Sequence, residues 1–253
     1  MAWPFTEENN HRIYKNTTLQ NVVIVFELEP QGTEFYNDSF YERLDKFTTD
    51  KFSLKVEHAL FDNPFQIHNA KLHSFFQFAN GMVAVILPRE GYVSFEDTAM
   101  PQIRRMREYV NEVLLEQCVK RVHIRKLNIW QIVEIKEDPQ IVLNRLKPEI
   151  FSESFLTATN HLSYEPNEQN ILFEKMGWTE GNENIIARAA YVPVKDRNAA
   201  FNIVLDIETS IGDQDAIVLE GMSTKLLNWN RHMFNVFQWS LNHETIKRME
   251  GEI

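Results

Sequence analysis

One cysteine in 253 residues, Cys118, excludes an intramolecular disulfide and any metal site built from several thiolates. A lone thiol at the end of a helix is expected to pack as a small buried hydrophobe. Glycine is scarce at eight residues, and neither Gly-x-Gly-x-x-Gly nor Gly-x-x-x-x-Gly-Lys-Ser/Thr nor Gly-x-Ser-x-Gly occurs, so phosphate-cradling loops and the nucleophile elbow are missing. No run approaches the ~18 apolar residues of a membrane span. The opening Met1-Ala2-Trp3-Pro4-Phe5-Thr6-Glu7-Glu8 also lacks the basic and apolar regions of a secretory leader. These absences lead to the expectation of a soluble cytoplasmic protein with no membrane partner.

Basic residues are outnumbered 26 to 36, and the net charge of −10 opposes generic nucleic-acid binding, which gains affinity by releasing counterions from phosphates onto a basic surface. The densest basic group, Lys120, Arg121, His123, Arg125 and Lys126, lies in a strand-like run where outward positions are charged on any solvated sheet. The eight histidines show neither His-Glu-x-x-His nor His-x-His spacing, so neither a metal site nor a cofactor is expected.

What is present reads as a building plan stated twice. Val22-Val23-Ile24-Val25-Phe26-Glu27-Leu28 and Val122-His123-Ile124-Arg125-Lys126-Leu127-Asn128-Ile129 each open a series of strand, short capped helix, further strands and long amphipathic helix. The reading is an N-terminal arm over 1–20, a first α+β half over 21–119 and a second over 120–253. A chain of this length buries about 70–75% of its unfolded surface, enough for stability without disulfide or metal.

In the first half, Ser39 with Glu42 has the form of a capping box ahead of a stripe of Phe40, Leu44 and Phe47. Alternation predicts strands over Phe52–Val56, Lys71–Phe78 and Met82–Leu87, the last two joined by the hairpin dipeptide Asn80-Gly81, with a further strand over Tyr92–Phe95. From about Asp97 the period becomes helical, with Ile103, Met106, Val110, Val113 and Leu114 on one face. In the second half, a strand from Arg121 to Ile135 precedes a helix started by Asp138-Pro139 and stopped by Pro148. Strands are predicted over Phe155–Tyr164, Ile171–Trp178, Ile185–Val194 and Ala199–Ile207. The last long helix starts near Ser223 and carries Leu226, Asn230, Met233 and Phe237 on one face, widened by Trp229, Val236 and Trp239.

The sharpest chemical signal is Val204-Leu205-Asp206-Ile207-Glu208. An apolar strand ending in Asp-x-Glu puts two carboxylates on one face, as in nucleases that hold two divalent metals. Only 45 residues follow Glu208, too few to complete such a fold. A strand end whose acids pair with Arg125 on a neighbouring strand accounts for the same residues without catalysis.

Arg121-Val122-His123-Ile124-Arg125-Lys126-Leu127-Asn128-Ile129 resembles the mid-chain strand of a sporadically distributed bacterial family of uncharacterised function. The Val204–Glu208 strand, the long helix around Leu227, His232 and Phe237 and the polar break after it are similar to that family's C-terminal signature. The chain departs from the pattern in having Lys126 where an aromatic is usual, Glu208 where aspartate is common, and Asn242-His243-Glu244-Thr245 in place of the final Ile-Thr segment. The resemblance implies no activity, but by analogy with patchily distributed families it implies a defence or toxin–antitoxin gene neighbourhood.

The resulting expectation is an α+β protein of two tandem halves, in a helix-grip or TATA-binding-protein-like plan. It is expected to act as a non-enzymatic binding or regulatory module with a protein partner, supported by abundant exposed aromatics and the lack of a coherent active site. No catalytic residue is assigned. The residues expected to contact a partner or ligand are His123, Arg125, Asn128, Asp206, Glu208 and Trp229. The alternatives are a metal-dependent nuclease at Asp206 and Glu208, and a small-molecule sensor with a pocket lined by Phe201, Trp229 or Phe234.

Overall fold

In the computed structural model of the protein, residues 14–54, 65–69, 74–115, 118–132, 137–157, 171–194, 200–217 and 221–252 are described. Eight strands form one antiparallel sheet: β1 (Leu19–Leu28), β2 (Phe65–Asn69), β3 (Ser74–Ala79), β4 (Met82–Pro88), β5 (Val119–Ile132), β6 (Ile171–Glu180), β7 (Glu183–Pro193) and β8 (Phe201–Ile217). Their order across the sheet is β2-β3-β4-β1-β5-β8-β7-β6. The helices are α1 (Asp38–Phe52), α2 (Met100–Glu112), α3 (Pro139–Ile150), α4 (Glu153–Leu156), α5 (Met222–Ser240) and α6 (His243–Glu250). No helix among the described residues is long and apolar enough to cross a membrane.

The chain divides into two compact units, one comprising 1–20, 125–209 and 228–253, the other 21–124 and 210–227. In the second of these, β1 pairs with β4 in a register that places Val22 opposite Leu87 and Phe26 opposite Val83. Val22, Ile24, Phe26 and Leu28 are buried with Val83, Val85, Leu87, Phe76 and Phe78, as period-two alternation demands of a sheet covered on one face. That cover is helical: Phe47 of α1 and Phe78 of β3 both meet the ring of Tyr109 on α2. Asn80-Gly81 forms the β3–β4 turn, with Gly81 at φ +79°, a conformation in which a Cβ would lie 3.1 Å from the Pro30 ring.

Local structure departs from the sequence reading at several points. The cap of α1 is Asn37, whose side chain accepts from Phe40 N–H at 3.2 Å, so Ser39 lies inside the helix and no Ser39–Glu42 box forms. The helix also absorbs Phe52 and ends at left-handed Ser53, overturning a strand beginning at Phe52; its remainder, Lys55 and Val56, lies outside the described residues. Phe52 continues the helical stripe instead, meeting Phe47 and Phe76. The expected strand at Tyr92–Phe95 is replaced by a 3-10 turn, Arg89–Gly91, and a π-turn, Phe95–Ala99, in which the Ser94 hydroxyl caps Asp97 N–H. Cys118 is exposed, not buried, because its helix ends at Glu112.

In the other unit, α3 continues past Pro148 to Ile150, and Asn242 donates to the Pro148 carbonyl. Phe155 lies in α4, not in a strand; the rest of the predicted Phe155–Tyr164 strand from residue 158 lies outside the described residues, as do 1–13 of the expected arm. The core joins α5 to the sheet and to α4, with Trp239 edge-on to both Trp178 of β6 and Phe155. Trp229, Met233 and Val236 are buried from α5, and Phe151 meets Trp130 of β5 edge to face and stacks on Phe155 of α4. At the chain's end, α6 is capped by Asn242 and closed by left-handed Gly251.

Candidate functional site

Alternation along β5 and β8 sorts the candidate residues onto two sides of the sheet. On β5, Val122, Ile124 and Asn128 are buried, while Arg125 is exposed. On β8, Ile203, Leu205 and Ile207 face the core, which puts Asp206 and Glu208 on the side opposite the helices.

There, Asp206, Glu208, Arg125 and Arg188 form one ion-pair cluster. Asp206 Oδ1 accepts from Arg125 Nε at 2.8 Å, and its Oδ2 accepts from Arg188 Nη1 at 3.2 Å. The same Arg188 Nη1 reaches Glu208 Oε2 at 2.9 Å. Asp206 is nearly withdrawn from solvent, its side chain 7% exposed against 51% for Arg125. The carboxylate therefore acts as a fixed post between two guanidinium groups. Its hydrogen bond to Arg125 raises that group's already high pKa, so the arginine keeps its charge throughout the working range. The Arg125–Asp206 pair expected from the sequence is present, 81 residues apart along the chain.

Arg188 is the residue the sequence reading passed over. It is the single charge in the apolar run Ile185-Ile186-Ala187-Arg188-Ala189-Ala190, and such an isolated charge within a strand was the available signal.

The remaining candidates lie elsewhere. Asn128, buried, donates to the Leu205 carbonyl at 3.4 Å. Two residues earlier, Lys126 is directed to α5, where its amine donates to Asn230 Oδ1. Burial pushes the Lys126 pKa down to about 8. Trp229, also on α5, is buried and donates its indole N–H to Glu183 Oε2 at 2.6 Å. His123 belongs to the other unit, where its Nδ1 lies 3.9 Å from Glu27 Oε1. Thus Arg125, Asp206 and Glu208 come together, whereas Asn128 and Trp229 serve the core.

Phe201 and Trp229, named as pocket linings, are buried and packed. Phe201 meets the Tyr191 ring at 4.8 Å, and Phe234 stacks on Tyr14 at 6.0 Å. Among the described residues the large exposed hydrophobic side chains are Leu54, Val93, Leu115 and Ile141, all aliphatic, so the expected exposed aromatics are not found there. The aromatic rings are drawn into ring-on-ring contacts because edge-to-face and offset arrangements of their quadrupoles add to the area each buries. Among the described residues, no group of three or more His, Cys, Asp or Glu side chains is placed to share a metal ion. No protein-family model and no curated protein matches the chain.

Proposed function

We propose that the chain is a non-enzymatic binding or regulatory module whose partner is a protein. The observation that carries this reading is the engagement of both carboxylates of the Asp-x-Glu strand by arginine. Asp206 has one oxygen on Arg125 and the other on Arg188, and Glu208 shares Arg188. Two-metal phosphodiester cleavage needs those oxygens directed at cations, and two guanidinium groups beside them compete with and repel a divalent ion. A rigid, charge-balanced cluster with a half-exposed arginine suits recognition instead.

The strand order supports the plan of two tandem halves. Read outward from β1 it runs β1-β4-β3-β2, and from β5 it runs β5-β8-β7-β6, so each strand has a counterpart four strands on. Each series has a helix after its first strand and another after its last, the order of a helix-grip or TATA-binding-protein-like unit. We read the setting as cytoplasmic, and resemblance to the sporadically distributed bacterial family adds a defence or toxin–antitoxin neighbourhood, with a neighbouring gene product or a second copy as partner.

Affinity purification from the native host, together with co-expression of the neighbouring gene products, tests the reading. A stable stoichiometric protein partner is the expected outcome. A lone monomer that cleaves nucleic acid only with added divalent metal, and loses that activity in Asp206→Asn, would sink it.

A further inference from the structure

The ion-pair cluster holds more donors than acceptors. A guanidinium carries five N–H donors in a planar fork. Arg125 commits Nε to Asp206, and its two terminal amino groups meet no protein acceptor among the described residues. Arg188 commits Nη1 alone, to Asp206 and Glu208. Asp206 binds one arginine through each oxygen and is itself held in a nearly buried position, so both forks are oriented before anything binds.

The surroundings are apolar. By alternation, Leu127 and Ile129 of β5, Val204 of β8, and Ile186 and Ala190 of β7 share the face of Arg125 and Arg188. All but Val204 keep part of their surface in solvent. Lys175 of β6 stands opposite Arg188 in the β6–β7 register. On a chain of net −10, this face therefore carries an arginine fork whose terminal amino groups are open.

We propose that this face, anchored on Arg125, docks a segment of the protein partner bearing a single carboxylate, gripped side by side by the two terminal amino groups of the Arg125 guanidinium. The proposal rests on the reading of the chain as a protein-binding module and specifies the chemistry of its partner. Charge selects the occupant. A nucleic-acid backbone carries a phosphate every few ångströms and needs a row of cations, whereas this patch offers one open guanidinium fork among aliphatic side chains. An arginine within a partly apolar surface is the composition of an interface centre.

The test uses the full chain, labelled for detection of arginine side-chain N–H resonances. It is titrated with the acetylated and amidated peptide Thr-Val-Glu-Val-Thr, its glutamine analogue, inorganic phosphate and oligothymidine. The Arg125 Nε–H resonance should move with the glutamate peptide and not with the glutamine one. Arg125→Gln should weaken peptide binding about tenfold or more, by loss of a charge-assisted bidentate pair. Arg125→Lys keeps a cation beside Asp206, and with it the fold, but has no fork, so it should also bind several-fold more weakly. Equal response to both peptides, wild-type affinity in Arg125→Lys, or tighter binding of phosphate or oligothymidine overturns the proposal. A native partner retained undiminished by Arg125→Lys removes the Arg125 anchor and leaves the binding-module reading standing; no stoichiometric partner for either protein removes that reading itself.

Discussion

The amine of Lys126 hydrogen-bonds Asn230 on α5, while the adjacent residue, Arg125, pairs with Asp206 on the other side of the same strand. Two consecutive basic residues thus have opposite electrostatic fates. One is fixed by a carboxylate and half exposed; the other donates to an amide oxygen on α5, and burial lowers its pKa to about 8.

That depressed value sets a pH dependence. Above the ordinary lysine value of 10.5 the amine is neutral whether the chain is folded or not, and it contributes nothing. As pH falls from 10.5 towards 8, the unfolded chain takes up the proton first, so this group progressively destabilises the fold, and the loss levels off below about 8. Lys126→Met should unfold a few degrees higher at pH 7 and should flatten the rise in stability between pH 8 and 10.5. Urea titrations of both proteins across that range check it; parallel curves would show that the amine is not buried.

Asp206 should matter more to stability than Arg125. Replacing it with asparagine keeps the shape but removes the carboxylate that Arg125 binds and one of the two that Arg188 binds, at a cost of about 1.5–3 kcal/mol. Arg125→Ala removes a half-exposed partner and leaves Asp206 held by Arg188, so the loss should be about 1 kcal/mol or less. Chemical denaturation of the two variants decides the order.

Divalent metal should leave the wild-type melting temperature unchanged. If Mn²⁺ bound at Asp206 and Glu208, a concentration ten times its dissociation constant would add about 1.4 kcal/mol by mass action. Thermal melts with and without Mn²⁺, run beside Arg188→Gln, reveal whether the arginine is what keeps the carboxylates from a cation.

Helix α1 offers a test of local reading against observed geometry. Asn37→Ala removes the cap on Phe40 N–H and should cost about 1 kcal/mol, whereas Ser39→Ala should stay within about 0.5 kcal/mol. Equal losses would restore the capping box written in the sequence.

Helix stripes and the hairpin were legible because their causes are local. Phe40, Leu44 and Phe47 recur at helical spacing and are buried; so do Ile103, Met106 and Val110. Asn80-Gly81 turns the chain because glycine accepts a positive φ. Phe52–Leu54 misled, since a short alternating run also fits the last turn of an amphipathic helix once Phe47 and Phe76 are there to receive Phe52. The five-residue β2 gave too short a pattern to register against its polar neighbours.

The sequence by itself determined the α+β class, the alternation that puts Asp206 and Glu208 on one strand face, and the composition that leaves phosphate-cradling loops out. Only the tertiary structure decided what those carboxylates do. Arg125 and Arg188 stand 81 and 18 residues from Asp206, and no local pattern specifies which strand lies beside which. Register across the sheet is set by packing of the opposite, apolar face, and that packing brings two guanidinium groups to one buried carboxylate, turning an apparent metal-binding pair into the foundation of an exposed arginine.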